Sequence, residues 1–140
     1  MAFSHGSAAI LKVADSGAIL RDLSSYLTSE TLARTAEALD TTVQGPSVTS
    51  KSYLPGLKDG TIPLEGNFDP TVDGYLSGIL AMTALTTFEF YPAGEPIGAT
   101  KPKYSGSCML SAYDVRTGVD GLAKITGTLQ LSGTISRATS

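Results

Sequence analysis

In "KITGTLQLSGTIS", residues 124–136, Ile125, Leu129, Leu131 and Ile135 share one parity with Gly127 and Gly133, while every residue of the other parity is polar. Alternation with a period of two predicts a long strand with one buried face. The same period runs through "TIPLEGNF", 61–68, where Ile62, Leu64 and Phe68 point inward and Thr61, Glu65 and Asn67 outward. Pro63 there requires an edge position or an outward-facing nitrogen, because proline gives no hydrogen to a ladder. "DG" at 59–60 predicts a turn in front of that strand. Further strands are expected at 8–14, 17–22, 84–91 and 104–115, punctuated by the turn signals "DSG", "PAGEPIG" and "RTGVDG".

After Phe68 the period changes. Val72, Tyr75, Leu76, Ile79 and Leu80 recur at helical spacing, with Asp69 placed as N-cap, Pro70 at the first helical position and Asp73 in the first turn, where the helix dipole favours a negative charge. Gly74 and Gly78 each weaken such a helix by about 1 kcal/mol relative to alanine, so its stability has to come from packing on a sheet. The stretch "EGNFDPTVDG", 65–74, also half-matches a calcium loop beginning at Asp69, with Thr71, Asp73 and Gly74 at the third, fifth and sixth positions. Its twelfth position is Leu80 where a bidentate glutamate is needed, which argues for the cap and against the metal.

Two segments are harder to read. In "SSYLTSETLARTAEALDTTVQG", 24–45, Leu27, Leu32, Ala36 and Leu39 behind an S/T-x-x-E start favour a helix, and strand alternation is poor. "QGPSVTSKSYLPG", 44–56, is the longest expected loop, and Tyr53, Leu54 and Pro55 give it apolar groups for a partner to cover.

The chain has 140 residues, enough for a single domain with a core, preceded by an N-terminal arm at 1–7. Only 16% of residues are charged, below the usual quarter, which implies a surface covered by something else. The net charge of −3 gives no basic footprint for nucleic acid, and the lysines and arginines are scattered. A lone Cys108 makes neither an internal disulfide nor a cysteine-rich zinc site, and reads as a small buried apolar residue. The N-terminus lacks the basic region of a signal peptide, and the apolar run "LSGILAMTAL" at 76–85 is half a membrane span, so a soluble protein made in a cytoplasm is expected.

Candidate chemistry is sparse. The single histidine, His5, sits in the arm; the G-x-S-x-G elbow and the phosphate-binding G-x-x-x-x-G-K-[ST] loop are absent. A carboxylate pair among the thirteen acids would lack the aromatic platform of a sugar cleft, and tryptophan is missing. No catalytic residue, metal ligand or cofactor is expected. A non-enzymatic protein is therefore expected ahead of a carboxylate enzyme.

"RDLSSYLTSETLARTAEALDTTVQG", "SKSYLPGLKDGTIPLEGNFDPT", "SGSCMLSAYD" and "TGTLQLSGTISR" together resemble, in the same order and over roughly residues 18–137, the major tail proteins, or tail tube proteins, of long-tailed bacteriophages, particularly siphophages of actinobacterial hosts. The resemblance implies a non-enzymatic virion structural protein, with a virion decoration or carbohydrate-binding β-sandwich module as the alternative, and a mainly β, sandwich or barrel-like fold with one short helix. It implies hexameric rings whose sheets join into one barrel, stacked into a tube through which DNA passes during ejection. It also turns 29–43 from helix into a long strand, with the helix kept as an alternative before assembly. On the same analogy, ring-to-ring contacts fall to Pro46, Val48, Lys51, Tyr53 and Leu54 in the protruding loop, to the arm, and to residues 136–140; Glu30, Glu37 and Asp40 are the candidates for the lumen. The implied partners are further copies of the chain and tape measure, distal tail and terminator proteins, in a virion tail assembled in the host cytoplasm.

Overall fold

A computed structural model describes residues 8–94, 97–119 and 121–139. The arm at 1–7 and the final residue of 136–140 lie outside them. The elements are β1 (Ile10–Ala14), β2 (Leu20–Asp22), β3 (Leu27–Glu30), β4 (Ala33–Asp40), β5 (Tyr53–Asn67), α1 (Pro70–Leu80), β6 (Thr86–Tyr91), β7 (Lys103–Arg116) and β8 (Lys124–Ala138). These eight strands form one antiparallel sheet in the order β2-β1-β6-β7-β8-β5-β3, with β4 also paired to β5, and the sheet curls into a half-barrel.

The period-two strands form as their pattern dictates except at their ends: Phe68, expected inward, lies beyond β5 and is exposed, and the buried parity of β8 lapses at the exposed Gly133. Ile125, Gly127, Leu129 and Leu131 of β8 are buried, as are Ile62, Leu64 and Gly66 of β5, and the two strands pair from Thr61–Gln130 to Asn67–Lys124. Pro63 sits opposite Thr128, at the interruption between β3 and β4, where its carbonyl accepts from Thr31 N. Its missing hydrogen is thus absorbed where the outer partner is broken. Gly66 serves a different need: a Cβ there would lie 2.3 Å from the Tyr26 carbonyl oxygen, so only glycine lets that turn cross β5.

α1 covers the inner face with Val72, Leu76 and Ile79, which join Leu11, Val13, Phe88, Leu110 and Leu129 in one core. Its start matches the expectation from sequence: Asp69 is extended (φ −146°, ψ 136°) and its Oδ1 accepts from Thr71 N at 2.8 Å. Asp73 accepts from Tyr113 Oη at 2.6 Å, fastening the first turn of α1 to β7. Both acids of the half-matched calcium loop are therefore committed to holding the helix. Burial and this carboxylate neighbour push the Tyr113 phenol far above its usual range.

The β1–β2 turn is locked by Asp15, whose carboxylate accepts from Gly17 N, Ile19 N and Arg21 Nε. The Arg21 guanidinium, its carbon 4.9 Å from the Tyr75 ring centre, then ties that turn to α1. This turn takes up residues 17–19, so the strand expected at 17–22 is only Leu20–Asp22.

Three expectations change more. Residues 24–45 are not helical but supply β3 and β4, because both strands find a long partner in β5. Propensity is a weak prior, and tertiary pairing overrides it. "DG" at 59–60 makes no turn and lies inside β5, the Asp59 side chain bonding to Gly60 N. The loop expected at 44–56 is instead 41–52, its mouth closed by Thr41 N to Ser52 O at 2.8 Å, and residues 53–56 belong to β5.

Asp69→Ala should lower stability by about 1 kcal/mol, and Tyr113→Phe by about 1.5 kcal/mol, the loss of a hydrogen bond to a charged group. Urea midpoints at constant slope check both; a Tyr113→Phe protein as stable as the parent would show that Asp73 does not need this donor.

Candidate assembly surface

The β4–β5 hairpin extends beyond the core. Seven of the eight β4 residues are exposed, and so is all of Tyr53–Asp59 except the half-buried Gly56. A two-stranded ribbon is marginal in water, yet this one carries apolar side chains: Leu39, Val43, Val48, Tyr53, Leu54 and Leu57 are all exposed, Leu57 at 83%. Solvation alone does not account for such a concentration. Its base curls back over the sheet, placing the Arg34 guanidinium 4.8 Å from the Tyr104 ring centre. Between hairpin and upper β8 lies a groove of about 1010 Å³, floored by Leu131 and Ile135 and flanked by Arg34, Leu57 and Lys58.

The sheet has two unlike faces. Cross-strand rows such as Ser29–Glu65–Thr126–Asp114 and Ala33–Thr61–Gln130–Met109 lie on the side away from α1. A depression of about 310 Å³ there is lined by hydroxyls and carboxylates, with no aromatic ring and no cation among the described residues that form it. The opposite parity, Glu30–Leu64–Gly127–Tyr113, faces α1 and the groove.

The structure separates the residues nominated from sequence. Pro46, Val48 and Lys51 are exposed in the 41–52 loop, and Tyr53 and Leu54 are exposed where β5 begins. Asp40 pairs across from Tyr53 and accepts from Thr42 N at 2.9 Å, an interaction that holds its carboxyl below the usual range. Glu37 packs beside Gly56, in the hairpin. Glu30 is half-buried on the α1 side, and desolvation raises its pKa. The three acids do not share one surface. Sequence reasoning missed Leu57, which the "DG" turn assignment had placed just before a turn; an apolar residue in a segment with no inward partner was the available signal.

No protein-family model matches the sequence, and no curated protein matches it. Solved structures do. The tail of an empty gene transfer agent particle, refined with C6 symmetry, superposes with a TM-score of 0.82 at 16% identity, over 97% of this chain and 99% of that one. The SPP1 tail tube gives 0.77 at 10% identity, over 99% and 80%. The chain has the tail-tube fold. A tube subunit of contractile type shares this fold at lower similarity: the extended sheath–tube complex of an extracellular contractile injection system gives 0.67 at 12% identity, over 99% and 93%.

A raised carboxyl pKa means that the folded state binds the proton more tightly than the unfolded chain. Stability is then greatest below the unfolded value of about 4.3 and falls as pH rises through the folded one. Glu30→Gln should therefore raise the melting temperature at pH 7 and leave it nearly unchanged at pH 4, as thermal unfolding at the two pH values would reveal.

Proposed function

We propose that this protein is the tail tube subunit of a bacteriophage: six copies close into a ring, rings stack into a hollow tube, and the genome passes through it on ejection. The role is structural, without catalysis. The observation that carries this reading is the exposed apolar hairpin on a tail-tube fold, a ribbon that needs neighbours to cover it. Closing strand edges between copies removes an aggregation liability. Ring-on-ring stacking is heterologous and open, so it grows a filament.

The loop at 41–52, with Pro46, Val48 and Lys51, and the adjoining Tyr53 and Leu54, makes the contact to the next ring, together with the arm and the C-terminal residues. The face away from α1 lines the lumen, because α1 occupies the other side. Its depression, with hydroxyls beside Glu65 and Asp114, brings no cation to DNA phosphates, which favours sliding over retention. Glu37 and Asp40 of the hairpin stay candidates for the channel, whereas Glu30 belongs to the α1 side. Tape measure, distal tail and terminator proteins are the partners at the tube's interior and ends. The phrase-level resemblance favours a siphophage of an actinobacterial host.

Purified protein at raised concentration should form rings or tubes in negative-stain electron micrographs, and should do so in excess chelator. A species that stays monomeric under every condition, tail initiator proteins included, would sink this reading. Replacing residues 44–50 with Asn-Gly keeps the Thr41–Ser52 closure and should leave the fold and single rings intact while abolishing stacking. Tubes of normal length from that variant would move the ring contact elsewhere.

A further inference from the structure

The groove of about 1010 Å³ beneath the hairpin has an aliphatic floor, Leu131 and Ile135, and Ala36 and Leu57 add apolar surface from the hairpin side. Arg34 and Lys58 stand at its edge, where their N–H groups can donate to main-chain carbonyls. A trough that is apolar below and polar at the rim suits a short extended segment carrying one large apolar side chain.

The chain enters the sheet close to the mouth of this groove. Ile10 pairs with Tyr91, Phe90 with Tyr104 and Tyr104 with Arg137, so the start of β1, the end of β6, the start of β7 and the end of β8 share one rim. A Cβ at Gly94 would lie 2.8 Å from the Ala8 carbonyl oxygen, so the chain enters β1 pressed against the turn after β6. Ala9 packs against the core and thus faces the side of the sheet that carries the groove. Tyr104, on which Arg34 at the groove's edge is stacked, is two strand spacings from β1, about 10 Å. The five steps from Phe3 to Ala8 reach roughly 17 Å when extended, and the curl of the sheet shortens the path.

The sequence of that arm matches the trough. In "MAFSHGS", 1–7, Met1, Ala2 and Phe3 form an apolar tip, and Ser4, Gly6 and Ser7 make a flexible tether behind it. Thr139 and Ser140, which follow β8 at the same rim, are polar and offer the groove no such group. Because the tether is short, docking is intramolecular and sees an effective concentration in the millimolar range.

We propose that the groove beneath the hairpin receives residues 1–3 of the same chain, with the Phe3 ring seated on Leu131 and Ile135 beside Leu57. Docking covers Leu57, 83% exposed without it, and lays the arm along the base of the hairpin. The contact belongs to the free subunit and does not depend on the tube reading.

The test places Ser4→Cys with Ala36→Cys in the full-length chain and oxidises it at a dilution that keeps it unassembled. Ala36 lines the groove and its neighbour Glu37 does not, so Ser4→Cys with Glu37→Cys is a control of equal tether length. Cys108 stays out of the reaction, since it is fully buried and its thiol is pushed up to about 12 by desolvation. Mass spectrometry should find both engineered thiols lost at monomer mass in the Ala36 pair, and far less loss in the Glu37 pair. Adding Phe3→Ser should bring the Ala36 pair down to the level of the control. Equal cross-linking at the two positions, cross-linking that Phe3→Ser leaves unchanged, or a disulfide that forms only between chains overturns the proposal. Whether the parent grows tubes in the microscope is read separately and decides only the tube reading.

Discussion

A peptide group at the rim of a sheet must find a partner or stay in water, and the architecture of this chain follows from how it distributes such rims. The central strands β7, β8 and β5 are long and paired on both sides only over part of their length. Where the pairing stops, no described strand or helix covers the edge, and charges such as Arg34, Glu37 and Asp40 of β4 and Asp114 and Arg116 of β7 are what blunts it. Among the described residues, eight residues of β7 and all of β4 have a partner on one side alone. A monomer built in this way is unfinished at its borders while its centre is complete: the core around Leu11, Phe88, Leu110 and Leu129 is closed by α1 without help from another copy.

That division also explains the low charge. The face away from α1 is carried mostly by threonine, serine and glutamine, with Glu65, Asp114, Lys124 and Arg116 interspersed. The core face is carried by leucine and isoleucine. Several charged groups hold the fold in place, Asp69 and Asp73 at the start of α1 and Asp15 with Arg21 at the β1–β2 turn.

Elements with a local cause were legible in the sequence. The β8 alternation, the Asp69 cap and Pro70 at the first helical position each follow from residues within a few positions, and each stands where it was expected. What failed had a distant cause. Leu32, Ala36 and Leu39 look helical until β5 supplies a partner for β4, and Asp59–Gly60 looks like a turn until β4 and β8 hold it straight from either side. The family resemblance supplied the strand character of 29–43, but not its division: the structure breaks the single long strand expected there into the end of β3, β4 at Ala33–Asp40 and the start of the loop. The candidate surface was legible only as a region: exposed apolar residues near 44–56 marked the hairpin, but which strand edges face a neighbour is a property of register, and register is not written in any one segment.

β5 runs from Tyr53 to Asn67, fifteen residues, with the loop mouth at one end and the α1 cap soon after the other, and carries one extra residue against β4 between Pro55 and Lys58. At roughly 3.3 Å per residue it is a strut of about 50 Å. Its inner half is packed into the core and its outer half stands free, and Gly60 marks the crossing, where the Leu131 and Ile135 side chains leave no room for a Cβ. The extra β5 residue just beyond, between the Ala36–Lys58 and Ala38–Pro55 pairs, gives the free half its own twist. The direction in which the hairpin and its loop stand away from the core is therefore set by one strand's backbone, and a change at Gly60 would re-aim the whole exposed ribbon without touching a residue on it.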